Sequence, residues 1–163
     1  MKGWILLALA MPGLAFAQSP HLPEPLGACM AAADDPADCI GIVTGACMAR
    51  PDGSTTVGMM FCNLEERDLW DQGLNAVYGQ LMAGEKAADE EERKHFPEFA
   101  NRADSLRKAQ RAWIAFRDAD CGYSYARWGA GSMRQIVGSA CLLDMTAQRY
   151  LELASYLNAE DMR

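Results

Sequence analysis

The chain has 163 residues, of which 50% are hydrophobic, and its 22 acidic and 15 basic side chains give a formal net charge of -7. This length is typical of a single domain that buries a real core. The acidic balance disfavours nucleic acid and anionic membranes as partners and is compatible with a basic protein partner.

The N-terminus is typical of a secretory signal peptide. Met1 and Lys2 precede an apolar run at residues 4–17 that is shorter than the about 20 residues of a membrane-spanning helix and ends in Ala15-Phe16-Ala17. We expect cleavage after Ala17, with an uncleaved anchor as the alternative. Neither a second long apolar run nor a cysteine at the cleavage site follows. The mature chain is therefore predicted to be a soluble periplasmic or secreted protein without a transmembrane segment.

Six cysteines follow the signal peptide: Cys29, Cys39, Cys47, Cys62, Cys121 and Cys141. An even number of cysteines in an exported chain predicts three disulfides. The first pair surrounds a turn at residues 34–36 and the second pair surrounds a loop at residues 51–56, so we favour pairing 29 with 39 and 47 with 62. The other pairings of these four cysteines stay open. A metal site is the alternative use, but the sequence has no Cys-x-x-Cys pair, and we expect no metal and no cofactor.

Residues 18–61 are predicted to form a cysteine-containing N-terminal extension to a helical domain at residues 62–163. Prolines predict an extended lead-in at residues 18–28. Turn residues at 34–36 and 51–54 delimit two short helices at about residues 25–32 and 36–49.

Three long helices are predicted in the remainder of the chain. Apolar residues at helical spacing indicate a first helix at residues 63–84, a second at about 99–128 and a third from about Ser132. The charged run at residues 85–95 is expected to be a solvated connector or an exposed helix face. Glycines at 129 and 131 end the second helix. The predicted fold is all-α, a small helical bundle with an antiparallel helical hairpin.

The hairpin also predicts the third disulfide. Cys121 lies ten residues before Gly131 and Cys141 ten residues after it, so the two cysteines face each other in an antiparallel hairpin. On the loop-entropy model, this bond contributes about 3 kcal/mol to stability.

The segment at residues 106–121, with the pattern Gln110-x-x-Trp113-x-x-x-Arg117-x-x-x-Cys121, resembles the signature of the LprI-like family, named for a lysozyme-inhibitor lipoprotein. Further matching positions are Cys62, Glu66, Trp70, Asp71, Leu74, Asn75, Tyr78, Gly131, Ser132, Cys141, Gln148, Arg149 and Leu153. The resemblance covers roughly residues 62–157. It implies a helical extracytoplasmic domain that inhibits lysozyme in some members. This chain departs from the namesake in lacking a lipid-attachment cysteine.

The same motif residues have a purely structural interpretation. Two helix faces carry polar and aromatic side chains at spacings of three or four residues: Asp71, Asn75 and Tyr78 on the first long helix, and Gln110, Trp113, Arg117 and Cys121 on the second. Trp70 is the neighbouring motif residue of the first helix. We expect a buried polar network in which Arg117 pairs with Asp71. A binding groove is the alternative.

The sequence carries no recognisable catalytic motif. His95 lies in the charged run and has no evident catalytic partner. The adjacent acids Glu65 and Glu66 point in different directions on a helix, and we expect them to be surface charges of its first turn. The acids at residues 89–92 are expected to be solvated surface charges. We therefore expect that the protein is not an enzyme.

The resemblance to the LprI-like family implies a periplasmic protein that binds and blocks a lysozyme, and the acidic charge favours a basic one. We expect Ser132, Arg134 and Gln135, in the loop at residues 129–135, to approach acidic groups of the target. A competing contact loop lies at residues 52–58. The alternatives are an envelope protein-protein interaction module with no lysozyme target and an enzyme of unrecognised kind.

Overall fold

The computed structural model describes residues 22–160, and the signal-peptide prediction lies outside them. The described residues contain no strand and form five α-helices: α1 Leu26–Ala32, α2 Ile42–Met48, α3 Thr56–Glu92, α4 Arg102–Ala126 and α5 Met133–Glu160. Single 3-10 turns lie at Pro36–Cys39 and Pro97–Phe99. The predicted all-α class, with α4 and α5 as its helical hairpin, is confirmed.

The longest helix, α3, extends beyond its predicted range at both ends. It begins at Thr56 because the Thr55 hydroxyl accepts a hydrogen bond from the amide of Gly58 at 3.0 Å and so caps the first turn. It continues through the charged run to Glu92, since Ala, Glu and Lys are strong helix formers. In contrast, α4 begins at Arg102, later than predicted, because the 3-10 turn Pro97–Phe99 precedes it.

The core lies mainly between α3 and α5. Trp70 and Tyr150 are fully buried with their ring centroids 5.4 Å apart, and Leu26 of α1 belongs to the same cluster. The Tyr150 hydroxyl is buried without a hydrogen-bond partner, and burial raises its pKa to about 12. The N-terminal segment thus shares one core with the long helices.

Three disulfides join consecutive elements, and all three pairings are those predicted. Cys29–Cys39 joins α1 to the first 3-10 turn, Cys47–Cys62 joins α2 to α3, and Cys121–Cys141 joins α4 to α5.

The most buried carboxylate of the core, Glu66 of α3, holds α2 in place. Its oxygens accept hydrogen bonds from the amides of Gly41 at 2.6 Å and Thr44 at 2.7 Å, and from Trp70 Nε1 at 3.0 Å. Gly41 is the N-cap of α2 and has no side chain of its own, so Glu66 caps that helix from a distant part of the chain. The expectation that Glu66 is a surface charge was wrong, whereas Glu65 is exposed and pairs with Arg50 at 3.1 Å.

A second carboxylate of α3, Asp89, caps α4 in the same way. It is only 5% exposed and accepts hydrogen bonds from the amides of Arg102 at 2.9 Å and Ala103 at 3.0 Å. Burial raises the pKa of Asp89, but the two amide hydrogen bonds and the charges of Arg102 and Arg93 outweigh it and hold the pKa below its ordinary value of 3.8. The expectation that Asp89 is a solvated surface acid was therefore wrong, whereas most of the run does lie on an exposed helix face.

The Glu66→Ala variant tests the first cap. Because it leaves two helix amides and an indole N–H without their buried acceptor, we expect it to lower the free energy of unfolding by at least about 3 kcal/mol. Glu65→Ala is the matched neighbour and should lower it by less than about 1 kcal/mol. Urea unfolding followed by far-ultraviolet circular dichroism measures both, and equal losses would contradict the capping role.

The Asp89→Asn variant tests the second cap through pH. Since the pKa of Asp89 is lower in the folded chain, its stabilising contribution is present above 3.8 and is lost as the pH falls from 3.8 through the folded value. We expect the variant to be less stable than the parent at neutral pH and to lose less stability across that acidic range. The control is Glu90→Gln, at an exposed neighbouring position. An unchanged pH profile in Asp89→Asn would refute the assignment.

Candidate functional site

The two loops considered as contact loops lie at the same end of the bundle. Asn63 Nδ2 of α3 donates hydrogen bonds to the carbonyl of Ile136 at 3.3 Å and to Ser139 Oγ at 2.9 Å on α5. The Trp70 and Tyr150 contact follows further along both helices, so α3 and α5 run parallel. Both α3 and α5 begin within about two turns of the Asn63 contact. The loops at residues 52–58 and 129–135, which lead into these two helices, therefore lie side by side.

The turn between α4 and α5 brings two of the three predicted binding residues onto one aromatic ring. The guanidinium of Arg134 lies 5.2 Å from the ring centroid of Tyr125 and donates to the carbonyl of Gly129 at 3.2 Å. Gln135 Nε2 donates to the Tyr125 hydroxyl at 3.3 Å. Ser132 is exposed. Gly129 has φ +52°, a left-handed conformation that favours glycine and sharpens the turn.

Aromatic side chains surround this turn, and we name residues 123–135 the hairpin end. Tyr123 is 64% exposed and Trp128 is 47% exposed. The guanidinium of Arg127 lies 5.9 Å from the Tyr123 ring centroid. Tyr, Trp and Arg are the residue types that most often dominate protein-protein binding. The helical spacing alone did not single out these residues, because their exposure depends on how the hairpin packs.

The competing loop at residues 52–58 is largely occupied by its own hydrogen bonds. The Thr55 hydroxyl donates to the carbonyl of Asp52 at 2.7 Å while it caps α3. A Cβ at Gly53 would lie 2.4 Å from the carbonyl oxygen of Cys47, so the loop packs tightly on α2. This geometry is that of a structural turn.

The polar motif residues of α4 form a network with α5. The Gln110 side chain is buried and accepts a hydrogen bond from Arg149 Nε at 3.0 Å, and Arg149 also pairs with Glu152 at 2.7 Å. The guanidiniums of Arg117 and Arg149 lie 5.0 Å and 5.8 Å from the ring centroid of Trp113. This arrangement ties two positive charges to one indole and is primarily a helix-packing contact.

The predicted pair between Arg117 and Asp71 was wrong. Arg117 instead pairs with its neighbour Asp118 at 2.8 Å, and Asp71 accepts a hydrogen bond from Asn75 at 2.9 Å. Attraction to the face of Trp113 keeps the Arg117 guanidinium on α4. The other motif aromatics, Trp70 and Tyr78, belong to the core or pack against it.

Candidate metal-ligand clusters and membrane-spanning helices are both absent between residues 22 and 160. In that range no cluster of three or more His, Cys, Asp or Glu side chains could hold a metal ion. None of the helices there is long and apolar enough to cross a bilayer. His95 is exposed in a shallow depression beside Glu91, Glu92 and Phe96 at the end of α3.

The described structure is a small helical domain held by three disulfides, and its hairpin end exposes aromatic and basic side chains. The family model described as Lysozyme inhibitor LprI matches residues 47–153, which is more than half of the chain. The chain belongs to this family. The match begins at Cys47, earlier than the resemblance seen at residues 62–157, and therefore includes the Cys47–Cys62 disulfide.

One curated relative is an uncharacterized protein of Rhizobium meliloti (strain 1021). It is 29% identical to this chain over 126 residues, which are 76% of this chain and 91% of the relative. No solved structure matches the chain significantly.

Proposed function

We propose that this protein is exported to the periplasm or beyond the cell, binds a basic muramidase and blocks its substrate cleft without being an enzyme itself. The family match carries this proposal, because the matching model describes a lysozyme inhibitor. Three disulfides and the signal-like N-terminal sequence support export, since such bonds persist in oxidising compartments.

The chemistry of the hairpin end is suited to such a target. Muramidases cleave the glycosidic bond with two carboxyl groups that flank it. Arg134 and Ser132 offer a guanidinium and a hydroxyl, both donors to carboxylates, at the tip of a narrow hairpin. The formal charge of -7 attracts a basic enzyme over longer range and raises the association rate.

The rigidity of the hairpin end favours tight binding. The Cys121–Cys141 disulfide closes the hairpin, and Tyr125 holds both Arg134 and Gln135 against the turn. A surface that is already ordered loses less conformational entropy when it binds. The contact residues are therefore presented without a large ordering cost.

A turbidity assay tests the proposal. The mature protein is titrated against lysozymes of different classes acting on purified peptidoglycan, with a reduced and alkylated sample as control. We expect stoichiometric protection against at least one class, and loss of protection on reduction. If the protein protects against none of the lysozyme classes, the proposal is contradicted and an envelope interaction module is favoured.

Arg134→Ala tests the contact residue in the same assay. A lost charge-assisted hydrogen bond weakens binding by more than about 1.4 kcal/mol, so we expect an inhibition constant at least about tenfold higher, with little change in melting temperature. Arg107→Ala is the matched control, because Arg107 is an arginine of α4 that pairs with Asp104 near the opposite end of the helix. Equal inhibition by both variants would exclude Arg134 from the interface.

A further inference from the structure

An open groove lies beside the hairpin end, between α3, α4 and α5. Its volume is about 430 Å³. Apolar atoms form most of its lining through Met60, Leu64, Tyr125 and Leu142, while Asp118 is the one charged residue among those that line it. Tyr125 and Gln135 line the groove and also belong to the hairpin end, so the two features are continuous.

The apolar surface extends beyond the groove along two helices. Phe61 is 60% exposed and Val57 is 56% exposed, and both are within one turn of Met60 on α3. Ile114, which is 40% exposed, precedes Asp118 by one turn of α4. Exposed apolar side chains grouped in this way mark an interaction site more often than isolated apolar residues do.

The open shape of the groove indicates a protein occupant. Sites for small molecules enclose most of the surface of their ligand, whereas this groove is largely open to solvent. A side chain presented by another protein needs no such enclosure, because the partner surface itself covers the groove. The flanking Phe61 and Val57 extend the apolar area in the way that a protein-protein interface requires.

The charged side chains at the groove indicate the sign of the charge on the partner. The side chain of Asp118 is 58% exposed, whereas its ion-pair partner Arg117 is only 14% exposed, so solvent meets mainly the negative charge. One turn beyond Leu64 on α3, Asp68 and Arg67 repeat this arrangement with exposures of 61% and 28%. Two exposed carboxylates, Asp118 and Asp68, therefore lie toward the end of the groove away from the hairpin turn, where they can accept hydrogen bonds from a basic side chain of a partner.

We propose that this groove receives an apolar side chain of the muramidase that lies next to a lysine or arginine, so that groove and hairpin end form one contact surface. The inference rests on the proposed function and adds the chemistry of the partner's contact region. The apolar side chain packs on Met60, Leu64 and Leu142, and the neighbouring cation faces Asp118. At the other end of the surface, Arg134 faces the acidic cleft.

Gly122 allows this contact to be tested without disturbing the fold. It lines the groove on α4, and a Cβ built at this position has no atom within 4 Å. A leucine there fills the groove, while replacement of glycine in a helix interior also favours the helical conformation. Gly79 is the matched control, because its Cβ position is equally open and it lies on α3 roughly 20 Å from Leu64.

The experiment measures inhibition and direct binding of the lysozyme class that the wild type protects against, with the full mature chain. We expect Gly122→Leu to melt at or above the wild-type temperature and to bind at least about tenfold more weakly. Gly79→Leu should bind like the wild type. Asp118→Lys should weaken binding more than Asp120→Lys, which changes the net charge equally at an exposed position that does not line the groove.

Each outcome separates the two proposals. If the wild type inhibits and Gly122→Leu inhibits equally well, the groove is not part of the interface and the inference is overturned, while the proposed function stands. If the wild type binds no lysozyme class, the proposed function and this occupant both fail. A loss of binding in Gly79→Leu that matches Gly122→Leu would also overturn the inference, because the effect would then not belong to the groove.

Discussion

The buried carboxylate of Glu66 is the interaction on which the N-terminal half of the structure depends. Its two oxygens satisfy the amides of Gly41 and Thr44, which begin a helix without a capping side chain of its own. A fully buried carboxylate is stable only when hydrogen bonds replace its lost water, so α2 and α3 require each other. The Cys47–Cys62 disulfide joins the same two helices nearby.

Asp89 repeats this device near the far end of α3, where it caps α4. The 37-residue helix α3 therefore caps the N-termini of two other helices, α2 through Glu66 and α4 through Asp89. Side-chain oxygens from a neighbouring helix replace the local caps that most helices use. This arrangement positions α4, and through the Cys121–Cys141 disulfide it also positions the hairpin with α5.

The proposed contact surface lies at the opposite end of the bundle from Asp89. There the disulfide, the Tyr125 contacts and the Asn63 hydrogen bonds hold the turn and the groove in a fixed relation. The motif residues Gln110 and Trp113 contribute by packing α4 onto α5. These residues of the motif that resembles the family signature therefore pack the helices that carry the proposed surface, and the proposed surface itself consists of exposed residues near the turn.

The sequence predicted the features that depend on local spacing. Apolar periodicity indicated the three long helices, and the symmetry of Cys121 and Cys141 about a glycine turn predicted their disulfide. The roles of Glu66 and Asp89 were missed because the helix amides that they cap are 13 to 25 residues away and no local pattern identifies them. The Arg117 and Asp71 pair failed for a related reason, since helix-face periodicity does not say which partner a long side chain selects. Exposure of Tyr123, Trp128 and Phe61 likewise depends on tertiary packing.

Hydrogen-deuterium exchange of the mature chain, alone and with an inhibited lysozyme, tests the contact surface most directly. The account predicts slower exchange on binding at residues 57–64 and 121–142, which include the groove and the hairpin end. Residues 89–103, around the Asp89 cap, should exchange at the same rate in both samples. Protection confined to residues 89–103, or absent from residues 121–142, would contradict the account.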